Sequence, residues 1–299
     1  MHFTTFPFSA AVLATFFSTV NGANILMTND DGFGTANIRE MYKAMKAYGH
    51  NVFIVAPATD QSGKGGSLTS ATTANLTEDT EFGLVKADAP SIGPDPLDDH
   101  IWYYDGSPVA ATSVGTDYVL PKFGVSSPDL VMSGPNYGDN VGIPAIAFSA
   151  ANGASESYKD LNASTSVGLK DPQIIAGKVL ATFANDLIKK QKGERLLPLG
   201  YGINGNMPEI TSATSNDCID PPFIRTRMID EAWTLGVTYG EATGLFTEYE
   251  NASAPALDIC INGDCDLPSE TNLISTTCKT AVIIFSIDYD APSCPFQYC

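Results

Sequence analysis

Hydrophobic positions in the first half of the chain come in short unbroken runs, each stopped by a polar stretch rich in glycine or proline. Ile25-Leu26-Met27, Val52-Phe53-Ile54-Val55-Ala56, Ile101-Trp102-Tyr103-Tyr104 and Leu130-Val131-Met132 are such runs. Apolar runs of this length without polar alternation predict strands buried on both faces, as in a parallel sheet. Between the first two runs the period changes. Ile38, Met41, Tyr42, Met45 and Tyr48 recur at helical spacing, with Thr35 as the cap and Gly49 as the stop. Strand, helix and strand in succession make a βαβ unit, parallel and right-handed. Further helices are predicted from Val109 to Val119, ended near Pro121, and from Pro172 to Gln191. The second carries an apolar face of Ile175, Val179, Phe183, Leu187 and Ile188, with Lys189, Lys190 and Lys192 near its negative end. Residues 70–100 are polar and proline-bearing and predict an irregular excursion, whereas Ile143 to Phe148 predicts a strand and 149–171 a loop. The last third has strand-like runs, Phe223 to Met228 and Ala281 to Tyr289, and reads as β-rich.

The polar stretches that follow the strands carry the candidate chemistry. The first strand runs into Thr28-Asn29-Asp30-Asp31-Gly32. Adjacent carboxylates repel, so one is protonated unless a cation lies beside them, and a hard divalent ion with oxygen ligands relieves the repulsion. The alternative is a plain turn at Asp31-Gly32 with Asn29 as a local cap. After the second strand, Gly63, Gly65 and Gly66 allow positive φ and a nest of backbone N–H groups for an anion. Lys64 adds positive charge there, and Ser62 and Ser67 add hydroxyls; the alternative is a solvated flexible loop. A third such loop, Ser133 to Asn140, follows Leu130-Val131-Met132. Open α/β sheets bind ligands beyond the carboxyl ends of their strands, so three loops at that edge converge on one crevice.

Charge narrows the partners. Acids outnumber bases 34 to 16 and the formal net charge is -18, which argues against a nucleic acid polymer or an anionic membrane. No Gly-x-Gly-x-x-Gly follows the first strand, which disfavours a dinucleotide-binding dehydrogenase. Residues 1–22 contain no Lys, Arg, Asp or Glu, and Ala10 to Val20 has the length of a signal-peptide apolar core before Val20-Asn21-Gly22. Three sequons, at Asn75, Asn162 and Asn251, agree with secretion. All six cysteines lie between Cys218 and Cys299, and the histidines are confined to His2, His50 and His100. Disulfides therefore fit better than zinc. Close spacing makes Cys260–Cys265 and Cys294–Cys299 conceivable pairs among the possible ones.

The ordered set Thr28-Asn29-Asp30-Asp31-Gly32, Ala56-Pro57 with Gln61-Ser62-Gly63, Gly106-Ser107-Pro108, Pro128-Asp129-Leu130-Val131 and Ser133-Gly134-Pro135-Asn136 resembles the stationary-phase survival protein E (SurE) family. Ile203 to Pro208 resembles a later strand of that family, so the likeness covers about residues 24–210, in the secreted, cysteine-bearing fungal form. The resemblance implies an α/β fold, Rossmann-like and three-layered with a mostly parallel sheet. It implies a metal-dependent phosphatase acting on nucleoside monophosphates and other phosphomonoesters, assembled as a homodimer or higher oligomer. Asp30 and Asp31 match the family's metal carboxylates, Ser62 its hydroxyl ligand and Asn136 its amide ligand. Those oxygens suit Mg²⁺ or Mn²⁺. Asn29, Gly63, Lys64, Gly65 and Ser67 are then the substrate-binding candidates, and Asp30 or Asp31 is the acid left to assist a water. The expected organisation is a signal peptide (1–22), a phosphatase core (23–210) and a cysteine-containing β-rich extension of the same domain (211–299).

One family segment is missing. A Ser-Gly-Thr-Val stretch opening a helix should follow the Asn136 loop, but Asn140-Val141-Gly142 runs straight into Ile143-Pro144-Ala145. A helical crossover does not fit in so few residues, and the helix N-terminus lost with it is a ready anion site. Three readings follow: a truncated gene model or splice form, an active protein gripping phosphate through Lys64 and the Gly63–Gly66 backbone, or a secreted binding protein that keeps the fold without turnover.

Overall fold

The computed structural model describes residues 22–138, 148–150, 172–191, 195–210, 218–228, 231–255 and 264–286. Five strands form the first sheet: β1 (Asn24–Thr28), β2 (Asn51–Pro57), β3 (Ile92–Pro94), β4 (Ile101–Tyr104) and β5 (Leu130–Ser133). Their spatial order is β3-β4-β2-β1-β5. Strands β1, β2, β4 and β5 are parallel, in the register Ile25↔Val52, Ile25↔Leu130 and Ile54↔Ile101, and only β3 runs antiparallel.

Unbroken apolar runs are explained by cover on both faces. Ile25, Met27, Val52, Ile54 and Ala56 meet Ile38, Met41, Tyr42 and Met45 of α1 (Ala36–Ala47) and Leu180, Ala181 and Ala184 of α4 (Pro172–Lys190). Leu26, Phe53 and Val55 point the other way, onto Ala111 of α2 (Pro108–Val114), Val119, and Leu120 of α3 (Leu120–Lys122). Each large apolar side chain so buried contributes about 1.5–3 kcal/mol. The result is three layers, helix on sheet on helix.

Several expectations are corrected. Tyr48 leaves the buried face of α1 and is 44% exposed. The helix expected from Val109 to Val119 is present and runs on from α2 through a π-type turn (Gly115–Val119) into α3 without leaving helical backbone angles. At the wide turn a Cβ on Gly115 would lie 2.9 Å from Leu26 Cδ2, so the turn presses backbone onto the sheet. On α4 the fully buried side is Gln173, Ile174, Ala176, Gly177, Leu180, Ala181 and Ala184, while Ile175, Val179, Phe183 and Ile188 are only partly buried. Small residues set that face because the helices nearly touch: a Cβ on Gly177 would sit 2.8 Å from Met41 N. The excursion at 70–100 holds β3 and a 3₁₀ turn (Glu81–Gly83).

A second sheet runs β6-β7-β8-β12-β9, with β6 (Asn136–Tyr137), β7 (Phe148–Ala150), β8 (Tyr201–Met207), β9 (Phe223–Arg225) and β12 (Thr280–Ser286). The chain after β5 therefore does not return beside β5. It leaves through β6, and β7 pairs in parallel with β6 and β8. Of the strand expected from Ile143, only Phe148 falls in β7, and 143–147 lie outside the described residues, as do 1–21 and 151–171. Strands β10 (Glu231–Gly240) and β11 (Leu245–Pro255) form a long hairpin that the apolar pattern did not predict, and α5 (Glu270–Thr276) packs on β12 through Leu273, Ile274 and Ala281. Cys218 is bonded to Cys278. Cys265 is disulfide-bonded too, whereas Cys260, Cys294 and Cys299 lie outside the described residues.

Candidate active site

Because β1, β2, β4 and β5 are parallel, the polar loops that follow them emerge at one edge of the sheet. The order β4-β2-β1-β5 places the next strands of the chain first on one side of β1 and then on the other. Such a reversal opens a crevice at the carboxyl ends, where α/β sheets take their ligands. Asp30 and Asp31 leave β1 there, and Asn136 follows β5.

Hydrogen bonds tie the loops together. Gln61 N donates to Asp30 O at 2.8 Å, fixing the β2 loop to the β1 loop. Tyr137 N donates to Asp31 Oδ2 at 2.6 Å, fixing the residue after Asn136 to the second acid. Ser107, fully buried at the start of α2, donates from Oγ to Ser67 O at 2.6 Å and accepts from Thr69 N at 2.9 Å. The Gly106-Ser107-Pro108 stretch thus anchors the far end of the glycine loop.

Two of the four expected metal ligands have an oxygen with no partner. Asp30 Oδ1 and Asn136 Oδ1 are buried and make no hydrogen bond among the described residues. A buried polar oxygen in that state is costly, and a hard cation is one partner that would satisfy it. Ser62 lines the same cleft as Asp31, with its Oγ donating to Asp60 Oδ1 at 2.7 Å. Asn29 takes the local role: its Nδ2 donates to Gly32 O and Thr35 Oγ1, and its Oδ1 accepts from Gly32 N. It is fully buried in that turn, where Gly32 stands at φ 103°. Gly63, Lys64, Gly65 and Ser67 are exposed and are not among the residues that line the cleft.

The cleft has a volume of about 170 Å³ and is lined by Asp31, Thr35, Ala36, Asn37, Asp60, Ser62, Glu81, Phe82 and Tyr137. Burial pushes the Asp31 carboxyl up to about 7, against the pull of the Tyr137 N–H, and the charges of Asp30, Asp60 and Glu81 add to the rise. Burial raises Asp30 as well; its own backbone N–H opposes this and Asp60 reinforces it. Carboxylates held together against their own charge are the electrostatic mark of a cation or proton site.

Sequence reasoning missed Asp60, Glu81 and Asn37. Asp60 stands in a stretch singled out for its glycines, and its adjacency to Ser62 was the available signal. Glu81 belongs to the irregular excursion, brought in by Glu81 N donating to Ala58 O at 2.8 Å. Beside it Phe82 adopts φ 61°, a left-handed conformation that costs a non-glycine residue about 1–2 kcal/mol. The acids of the cleft do not gather three ligand atoms within 4.8 Å of one another; the group that does so among the described residues is Asp98, Asp99 and His100. It precedes β4, at the opposite sheet edge, and its groups already serve other partners. Asp98 accepts from Tyr42 OH at 2.8 Å, and the His100 ring stacks on Phe53 at 4.6 Å.

The strand order and the acid-lined cleft at its reversal point define a Rossmann-like α/β protein. The crystal structure of the SurE protein from Aquifex aeolicus has this fold, with a TM-score of 0.52 over 89% of this chain and 94% of that one at 19% identity. The family model described as Survival protein SurE matches residues 25–233, and the chain belongs to that family. It is 38% identical over 293 residues to an acid phosphatase of Yarrowia lipolytica, covering 90% of this chain and 80% of that protein. A 5'-nucleotidase SurE of Lawsonia intracellularis is 31% identical over 188 residues, covering 63% and 67%.

Proposed function

We propose that this chain is a metal-dependent phosphomonoesterase of the acid phosphatase and nucleotidase type, acting on nucleoside monophosphates or similar small esters. The observation that carries the reading is the pair of partnerless buried oxygens, Asp30 Oδ1 and Asn136 Oδ1, beside a carboxyl raised to about 7. Asp30, Asp31 and Asn136, with Ser62 on the rim, would hold Mg²⁺ or Mn²⁺. When bound, such an ion polarises a phosphoryl oxygen and acidifies a water. Asp60 turns Ser62 toward its place through two hydrogen bonds, from Ser62 N at 2.9 Å and Ser62 Oγ at 2.7 Å. Glu81 accepts from Asp60 N at 3.3 Å and lines the cleft, so a carboxylate stands ready to take a proton from the attacking water. The names of the yeast acid phosphatase and the bacterial nucleotidase support the same chemistry.

The test is phosphate release from p-nitrophenyl phosphate and AMP with Mg²⁺, Mn²⁺ or chelator. Turnover abolished by chelator supports the proposal; no turnover with either metal rejects it. The missing Ser-Gly-Thr-Val segment favours the second reading, a secreted binding protein without turnover, which the same assay separates. We also propose export of the chain after loss of residues 1–22, supported by the sequons and the Cys218–Cys278 bond. Endoglycosidase-sensitive protein in the culture medium is its check.

A further inference from the structure

The start of α1 offers what the chain lost after Gly142. Thr35 precedes the helix, but its hydroxyl turns back to Gly32 O at 3.1 Å and makes no cap to the first turn. No acidic side chain stands in that turn either. The N–H groups of Ala36, Asn37 and Ile38 have no acceptor within the helix and form its positive end. Ala36 and Asn37 face the cleft beside Asp31 and Ser62. Asn37 is only 4% exposed, and its Oδ1 makes no hydrogen bond among the described residues. A buried amide oxygen without a donor is a costly arrangement unless a ligand completes the site. The oxygen and nitrogen of an amide exchange places by a half-turn, so Asn37 can present Nδ2 to an acceptor in the cleft.

We propose that the N-terminus of α1 together with the Asn37 amide is the phosphoryl-binding subsite of this chain. The N–H groups of Ala36 and Asn37 and the Asn37 Nδ2 donate to non-bridging phosphoryl oxygens. This rests on the phosphomonoesterase reading above and moves the grip from Lys64 and its glycine loop, which are exposed, to the helix that lines the cleft. Asp31, Asp60 and Glu81 repel a bare anion, so phosphate binds only once the divalent cation is in place.

The test titrates inorganic phosphate into the full-length protein, with and without saturating Mn²⁺, for the wild type, Asn37→Ala and Asn37→Asp. Loss of a hydrogen bond to a charged ligand weakens binding by about tenfold or more. The expected result is such a loss for Asn37→Ala, a larger one for Asn37→Asp, and Mn²⁺ affinity of Asn37→Ala unchanged without phosphate. Hydrogen exchange on the wild type gives an answer even if both variants fail to fold. Phosphate added to the Mn²⁺ form should slow exchange at residues 36–38. Unchanged phosphate affinity in the variants, or protection at 62–67 in place of 36–38, overturns the inference. A wild type that binds phosphate at α1 yet cleaves no ester rejects the catalytic reading alone. A wild type that cleaves esters and whose position-37 variants bind phosphate normally rejects only the subsite.

Discussion

Replacing Asp31 by Asn separates what this acid does to the fold from what it does for the site. Burial, backed by the charges of Asp30, Asp60 and Glu81, raises its carboxyl from the ordinary 3.8 to about 7. A carboxyl raised in the folded state stabilises fully below its unfolded pKa, and that contribution is lost as pH rises through the folded pKa. In metal-free protein the ionised Asp31 therefore costs nothing below pH 3.8 and its full penalty above about 7. A shift of about three units at about 1.4 kcal/mol each sets an upper bound of about 4 kcal/mol. Asp31 is partly solvated, so about half of that, ~2 kcal/mol, is the working figure. Asparagine keeps the shape and an oxygen for the Tyr137 N–H, so Asp31→Asn removes the penalty and little else. Thermal unfolding in chelator is the assay. The variant should melt above the wild type at pH 7.5, by about 4–8 °C for ~2 kcal/mol, with the gap shrinking to about two fifths at pH 5. With Mn²⁺ the wild type should gain stability and the variant should neither gain it nor turn over ester. A variant that melts below the wild type in chelator at pH 7.5, or a gap that is the same at both pH values, refutes the reasoning.

The same shift predicts that Mn²⁺ affinity weakens as pH falls below about 7, by up to about tenfold per unit as protons compete for Asp31; a profile flat from pH 8 to 5 in direct Mn²⁺ titration counts against it. Ser107→Ala removes the hydroxyl that joins Ser67 and Thr69 to the start of α2, at a cost of about 1–2 kcal/mol in urea unfolding, and a weaker KM should accompany it as the loop carrying Ser62 loosens. Cys278→Ser opens the loop of sequence separation 60 closed by the Cys218 bond, and chain entropy sets the loss at up to about 4 kcal/mol; an unchanged urea midpoint would show the unfolded chain to be constrained by other means.

What the chain displays in its sequence depends on whether burial leaves a periodic trace. Strands β1, β2 and β4 are covered on both faces, so the apolar run itself marks them, and stops such as Pro57 mark their ends. The β10–β11 hairpin leaves no such trace. Val237, Tyr239, Leu245 and Phe246 are all more than half exposed, and over the described tip, residues 236–248, no buried side imposes alternation on the residues. On α4 the large apolar residues suggested one face, but the close approach at Gly177 gives the most buried positions to alanine and glycine, which hydrophobicity alone underrates. The pairing of Cys218 with Cys278 follows from β9 lying beside β12, a long-range fact that close spacing of cysteines cannot convey.

The candidate site divides along the same line. The sheet edge shared by Asp30, Asp31 and Asn136 was legible because a parallel sheet sends every strand-end loop to one edge, while their reading as metal ligands came from the family resemblance. Asp60 and Glu81 were not legible, because their approach to Asp31 is made by an irregular segment pinned through single hydrogen bonds such as Glu81 N to Ala58 O. These two add to a rise in the Asp31 carboxyl that burial and the charge of Asp30 already make larger. Asp30 and Asp31 alone balance one divalent ion, whereas Asp30, Asp31, Asp60 and Glu81 together leave an excess of negative charge before any phosphate arrives. That excess favours filling the site with a cation before an anionic ester can approach. In the metal-free site Asp31, raised to about 7, is the group on which protons settle first, and a bound divalent ion would displace them. Proton and metal are then alternatives at Asp31, so activity that depends on the ion should fall as pH drops below about 7, and a rate that rises steadily toward pH 5 at fixed Mn²⁺ counts against the metal assignment.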